Sequence, residues 1–264
     1  MDISVTSSGE NCNYLNYCVI EESLDSVLNI TVQFENHIPT SQSKKAVKDE
    51  LSKLVEAELS KYHWIIVGPV YIDYVWYLDG VGRQRTDKRG DLDNITKPLQ
   101  DALSGSKGVI VDDTQAKSIY TCWRHSDSEL EGKLVISIRF MNDRCMLKDK
   151  LIFVETANGI YDAFECDISN ELELEAVNYT INCDPVKIME EIDLPIPLIM
   201  KISEYRFHIT RLHGFRNQKE GQTFIYNKKE FNKLLSSKLK GKRKLPTCEK
   251  LIKELCEKVK ALKK

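Results

Sequence analysis

The run VLNITVQFEN (27–36) alternates apolar and polar positions, with β-branched and aromatic residues among them, and predicts a strand with one face on a core. In KKAVKDELSKLVEAELSKY (44–62), Val47, Leu51, Leu54, Val55 and Leu59 recur at helical spacing and predict an amphipathic helix. GPVYIDYVWYLDG (68–80) reads as a second strand and GVGRQRTDKRG (80–90) as a polar, basic loop. A helix is expected from about 93 to 104, stopped by Gly105. GVIVDD reads as a short buried strand, and SIYTCWRHS and KLVISIRFM as two more, joined by the polar DSELEG. The order β-α-β-α-β-β-β describes an α/β domain over residues 28–141, preceded by a polar arm or short extra strand at 1–27.

NDRCMLKDK (142–150) reads as a linker to a smaller mixed α/β region at 150–227. LIFVETA, IYDAFECDI and ELELEAVNYTI look strand-like, DPVKIMEEI reads as a short helix, and PIPLIMKI and YRFHITRL as strands. KKEFNKLLSSKL (228–239) is expected to be helical. TCEKLIKELCEKVKALKK places Leu251, Ile252, Leu255, Val259 and Leu262 on one helical stripe among lysines.

Charge divides the chain. Residues 228–264 hold 14 Lys/Arg against 4 Glu, a net +10, which leaves residues 1–227 at −12 within the overall −2. A basic tail on an acidic body points to an anionic partner, to packing on the body, or to solubility. Eight cysteines without a CxxC pair, and five histidines away from them, argue against a zinc site or a disulfide framework. No apolar run reaches the roughly 20 residues that span a bilayer, and the first residues show no leader pattern. The expected setting is cytoplasmic, without a membrane partner.

The chemistry concentrates in KRGDLDNITKPLQDALSG (88–105) and VIVDDTQ (109–115). On a helical wheel Ile95, Leu99, Ala102 and Leu103 share one face, and Asp93, Lys97 and Asp101 form a ridge on the other. Asp93 suits an N-cap, but Pro98 then lies too deep for an ideal first turn, so a later start or a kink is expected. Asp91, two positions before Asp93, shares its direction if the chain is extended there. Asp112 and Asp113 are expected to end a strand, where sites gather in α/β folds, so only one of the two can face a given site and the other serves structure or hydrogen bonding. Three converging carboxylates need a cation, and oxygen ligands without His or Cys favour Mg²⁺, with Mn²⁺ as a substitute. Lys97 can reach a phosphate or a leaving oxygen. Arg83, Arg85, Lys88 and Arg89 can hold flanking phosphates.

DLDNITKPLQDAL followed by GVIVDDTQ resembles the RusA family of Holliday junction resolvases, over roughly residues 28–140. The resemblance implies a mixed α/β homodimer that hydrolyses phosphodiester bonds in branched DNA with Mg²⁺, leaving a 5′-phosphate and a 3′-hydroxyl. By position, Asp91, Asp93 and Asp113 match the family's metal-binding aspartates, and Lys97 matches its essential lysine. Asn94, Asp101 and Gln115 match motif positions with looser roles: Asp101 as support for Lys97, and Gln115 grouped with Arg85, Lys88 and Arg89 as DNA contacts. Gly90 stands directly before Asp91, where an arginine would be unsurprising. The reading from another class is a non-catalytic branched-DNA-binding module whose activity lies in the C-terminal half.

Overall fold

A computed structural model describes residues 3–10, 26–34, 40–78, 92–125, 132–182, 201–215 and 225–239. Arg83, Arg85, Lys88, Arg89 and Asp91 lie outside them. So do the helix expected at 184–192, most of PIPLIMKI, and the tail beyond residue 239. The fold is mixed α/β. The chain divides into two compact units, one of residues 1–145 with 211–214, the other of 146–210 with 215–264.

The first unit contains β1 (Ile3–Glu10), β2 (Ser26–Phe34), α1 (Lys45–Leu59), β3 (Trp64–Ile66), β4 (Val70–Leu78), α2 (Leu92–Leu103), β5 (Ala116–His125) and β6 (Lys133–Phe140). Five strands form a sheet in the order β1-β2-β6-β4-β5; its pairs are antiparallel except β4 with β5. The arm expected at 1–27 thus contributes an edge strand. Ser7 fastens it to α1, donating from its amide N–H to Glu58 Oε1 at 2.9 Å. Strict alternation along β2, β4 and β6 turns Leu28, Ile30, Val32, Ile72, Tyr74, Trp76, Leu134, Ile136 and Ile138 into one core. Leu51, Val55 and Leu59 of α1 and Ile95, Leu99 and Leu103 of α2 complete it.

The apolar run 109–111 departs from expectation. It is no sheet strand; Ile110 makes only isolated bridges to Ile66 and Ser104. The helix ends at Leu103, and Gly105 adopts φ +93°, a conformation that favours glycine. The chain then folds back, so that Val109 N–H donates to Leu103 O at 2.9 Å and Ile66 N–H to Val109 O at 2.8 Å. Val109, Ile110 and Val111 are buried as predicted, but as a turn packed on the helix end. Asp112 and Asp113 therefore stand before the start of β5 and not at the carboxyl end of a strand.

The second unit contains β8 (Leu151–Ala157), β9 (Ile160–Glu165), α3 (Glu171–Asn182), β10 (Lys201–His208), β11 (Ile225–Tyr226) and α4 (Lys228–Lys238); a short strand β7 (Cys145–Leu147) comes before β8 in the chain. Its sheet runs β10-β9-β8-β11, with β11 parallel to β8. Residues 142–147 are a 3-10 turn followed by β7, where a plain linker was expected. ELELEAVNYTI, expected as a strand, is α3. The alternation of ELELE hides a helix start: Leu174 N–H donates to Asn170 O, and Glu173 reaches back to accept from Asp167 N–H and Asn170 Nδ2. Leu174 and Val177 then join the core with Phe231 and Leu235 of α4.

Candidate active site

Helix α2 carries the first half of the site. Asp93 lies in its first turn, where a carboxylate meets the positive end of the helix dipole; the helix begins at Leu92, so Asp93 is not its cap. Asp93, Lys97 and Asp101 are exposed, while Ile95, Leu99, Ala102 and Leu103 are buried, which realises the two faces read from the wheel.

Pro98 sits inside the helix without breaking it. A proline has no N–H for the carbonyl four residues back, which here is Asn94 O. That carbonyl is taken by Ser41 N–H at 2.6 Å, and Ser41 Oγ donates to Asn94 Oδ1 at 2.5 Å. The loop before α1 is thus tied to the segment that bears Asp93, through the oxygen that Pro98 leaves without a helical donor.

The second half of the site is the DDTQ turn, and it assigns the two acids different tasks. Asp112 is 4% exposed and caps the 3-10 turn Asp113–Gln115; its Oδ1 accepts from Thr114 N–H at 3.0 Å and Thr114 Oγ1 at 2.6 Å. Asp113 is partly exposed and points to α2, where its Oδ2 accepts from Lys97 Nζ at 2.7 Å. Lys97 also pairs with Asp101 Oδ1 at 2.9 Å. Partial burial pulls the Lys97 ammonium down, but its hydrogen bonds to Asp113 and Asp101 outweigh this and raise its pKa overall. For Asp113, burial pushes upward, yet the Lys97 hydrogen bond and the charges of Lys97 and Arg211 hold the carboxyl below its ordinary value.

Gln115 was expected among the DNA contacts. It is fully buried. Its Oε1 accepts from Val111 N–H at 2.7 Å and Asp112 N–H at 3.0 Å, and its Nε2 donates to Ile66 O at 3.0 Å and Gly68 O at 2.7 Å. The amide is used up in bracing the turn from below.

Two residues at the site escaped the sequence reading. Arg211 places Nη1 3.7 Å from Asp113 Oδ1 and 3.8 Å from Asp112 Oδ1. Tyr74, on β4, has a buried hydroxyl with no hydrogen bond among the described residues; burial first, and then the charge of Asp113, push its pKa up. Nothing local in the sequence marks Arg211. Tyr74 reads as one more inward position of an alternating strand.

No cluster of three or more metal-ligating side chains forms among the described residues, and Asp91 is not one of them. The donors that are described, Asp93 and Asp113, are hard oxygen ligands. Asp113 already holds a cation, the Lys97 ammonium, at 2.7 Å. Carboxylate oxygens of this kind are the donors that a divalent ion of the Mg²⁺ type takes.

Residues 19–139 match the family described as Endodeoxyribonuclease RusA. That family implies an endonuclease acting on branched DNA, of the Holliday junction resolvase kind. The match spans β2, α1, β4, α2 and β5, with Asp93, Lys97 and Asp113, and it ends before Arg211. No curated protein matches the chain. No helix among the described residues is long and apolar enough to cross a membrane.

Proposed function

We propose that the first unit is a Mg²⁺-dependent, structure-selective endodeoxyribonuclease that hydrolyses phosphodiester bonds in branched DNA such as four-way junctions. The observation that carries this reading is Lys97 held between Asp101 and Asp113, on the same helical ridge as Asp93. It brings the two separate stretches of sequence to one place. Asp93 and Asp113, with Asp91, would hold the ion, and Mn²⁺ is its natural substitute. Bound there, the ion supplies Lewis acidity toward the phosphate oxygens and lowers the pKa of an attacking water.

The protein's own groups do the rest. Asp113 is kept ionised by Lys97 and aimed by the Asp112 cap and the Gln115 brace. An ammonium has three donors, and two of those on Lys97 are used by Asp101 and Asp113. The third remains for a phosphate oxygen or for the oxygen that leaves. Arg85, Lys88 and Arg89 would hold the flanking phosphates. Two copies related by a two-fold axis would present two such sites to two strands of a junction.

The test is incubation of the full chain with a labelled four-way junction, a matched duplex and a fork, in Mg²⁺ or EDTA, beside Asp93→Asn and Asp113→Asn. Paired nicks on the junction are expected, abolished by EDTA and slowed at least about 100-fold in either variant. Cutting of the fork alone would change the substrate and keep the chemistry. Tight binding without cutting in Mg²⁺ or Mn²⁺ would make the unit a branched-DNA-binding module.

A further inference from the structure

Residues 211–214 belong to the first unit although they lie far beyond the end of the family match at residue 139. Neighbouring residues of this stretch have separate tasks. Leu212 is fully buried. Gly214 makes the close approach: a Cβ there would stand 2.9 Å from Gly105 Cα, and its carbonyl accepts from Ser106 Oγ at 3.0 Å. These contacts hold the stretch on the turn after α2 without calling on Arg211.

Arg211 is half exposed and stands beside the acids of the site. Its Nη1 lies 3.7 Å from Asp113 Oδ1 and 3.8 Å from Asp112 Oδ1, beyond hydrogen-bond range of both. A guanidinium committed to neutralising one carboxylate closes on it with two parallel bonds of about 2.8 Å. Here one nitrogen hovers between two carboxylates. Asp112 is already committed to Thr114, and Asp113 to Lys97. The charge is therefore placed at the site while its fork is left uncommitted to either acid.

We infer that Arg211 is a phosphate-binding residue of this site, contributed by a stretch of chain outside the family-matched region, and that its ligand is the DNA backbone at or next to the phosphate under attack. The inference rests on the endonuclease reading above. A planar guanidinium matches the two non-bridging oxygens of a phosphodiester, and it is weakly hydrated enough to exchange water for them. Lys97 and Arg211 flank Asp113, one from α2 and the other from the 211–214 stretch. Phosphate bound between them would lie within reach of the carboxylates.

The experiment uses the full chain and its Arg211→Ala and Arg211→Lys variants. Binding of a fluorescein-labelled four-way junction is followed by anisotropy in EDTA as KCl is raised, cleavage is followed separately in Mg²⁺, and thermal midpoints are recorded. Arg211→Ala is expected to flatten the slope of log K against log [KCl] by about one and to slow cleavage at least about tenfold, with an unchanged thermal midpoint. Arg211→Lys, which keeps the charge without the fork, should recover the slope but only part of the rate. An unchanged slope in Arg211→Ala would overturn the inference, whatever happens to stability, and would leave Arg211 a counter-ion of Asp112 and Asp113. If the unmodified chain binds and cuts while Arg211→Ala equals it, this inference alone fails. If the unmodified chain neither binds nor cuts branched DNA, the endonuclease reading fails with it.

Discussion

Lys97 is the residue on which the electrostatics of the site turn. Its ammonium keeps Asp113 ionised, and Asp113 in return keeps it protonated. The folded pKa of Asp113 lies below the ordinary 3.8. Its part of the pair's stabilisation is therefore fully present above the unfolded value and is lost as pH falls through the folded one. Lys97 lies above its ordinary 10.5, so its part is present below that value and is lost as pH rises through the folded pKa. Both groups are charged across the neutral range. Lys97→Met removes the main force opposing burial at Asp113, so a carboxyl NMR titration should place Asp113 below 3.8 in the unmodified protein and clearly higher in the variant. A midpoint that does not move would mean that Lys97 is not what depresses it.

At the level of elements, α2 and the turn behind it work as one part. Pro98 leaves Asn94 O without a helical donor, and Ser41 N–H takes it up, so the loop before α1 is coupled to the first turn of α2. Ser41→Ala removes the Oγ bond to Asn94 Oδ1 and is expected to cost about 1 kcal/mol. The same variant should speed hydrogen exchange at the Ser41 amide. Unaltered protection there would show that the backbone bond holds the loop unaided. In the second unit, burial sets the properties of several single groups. Cys166 is pushed up to about 12 by burial, with help from Glu173 and Asp167, whereas burial draws Lys148 down to about 8.

At the scale of the whole molecule, two compact units share one chain, and the basic end of that chain is not uniform. Phe231 and Leu235 of α4 are buried in the second unit's core, while Lys228, Lys229, Lys233 and Lys238 of the same helix are exposed. A deletion from residue 228 would therefore remove core as well as charge. A truncation after Leu239 spares α4 and removes the remaining basic stretch together with its apolar stripe. If that stretch contributes DNA affinity, the truncated chain should bind a four-way junction more weakly and with a flatter salt dependence. Equal binding would remove the tail from the DNA-contacting surface.

The sequence by itself determined what depends on near neighbours. The two faces of α2, its stop at Gly105, and the alternation of β2, β4 and β6 all follow from helix and strand periods. Where two local signals competed, the period misled. ELELE alternates like a strand, but the bonds that Glu173 accepts from Asp167 N–H and Asn170 Nδ2, and the burial of Leu174 and Val177, go with a helix. The tertiary structure alone decided what depends on residues far apart in the chain. It turned the 109–111 run into a fold-back and set Asp112 as a cap with Asp113 beside Lys97. It also buried Gln115 under the turn and brought Arg211 to a site more than ninety residues earlier in the chain. Periodicity is a property of consecutive side chains, whereas a charge placed on a carboxylate is a property of the packed core that carries both.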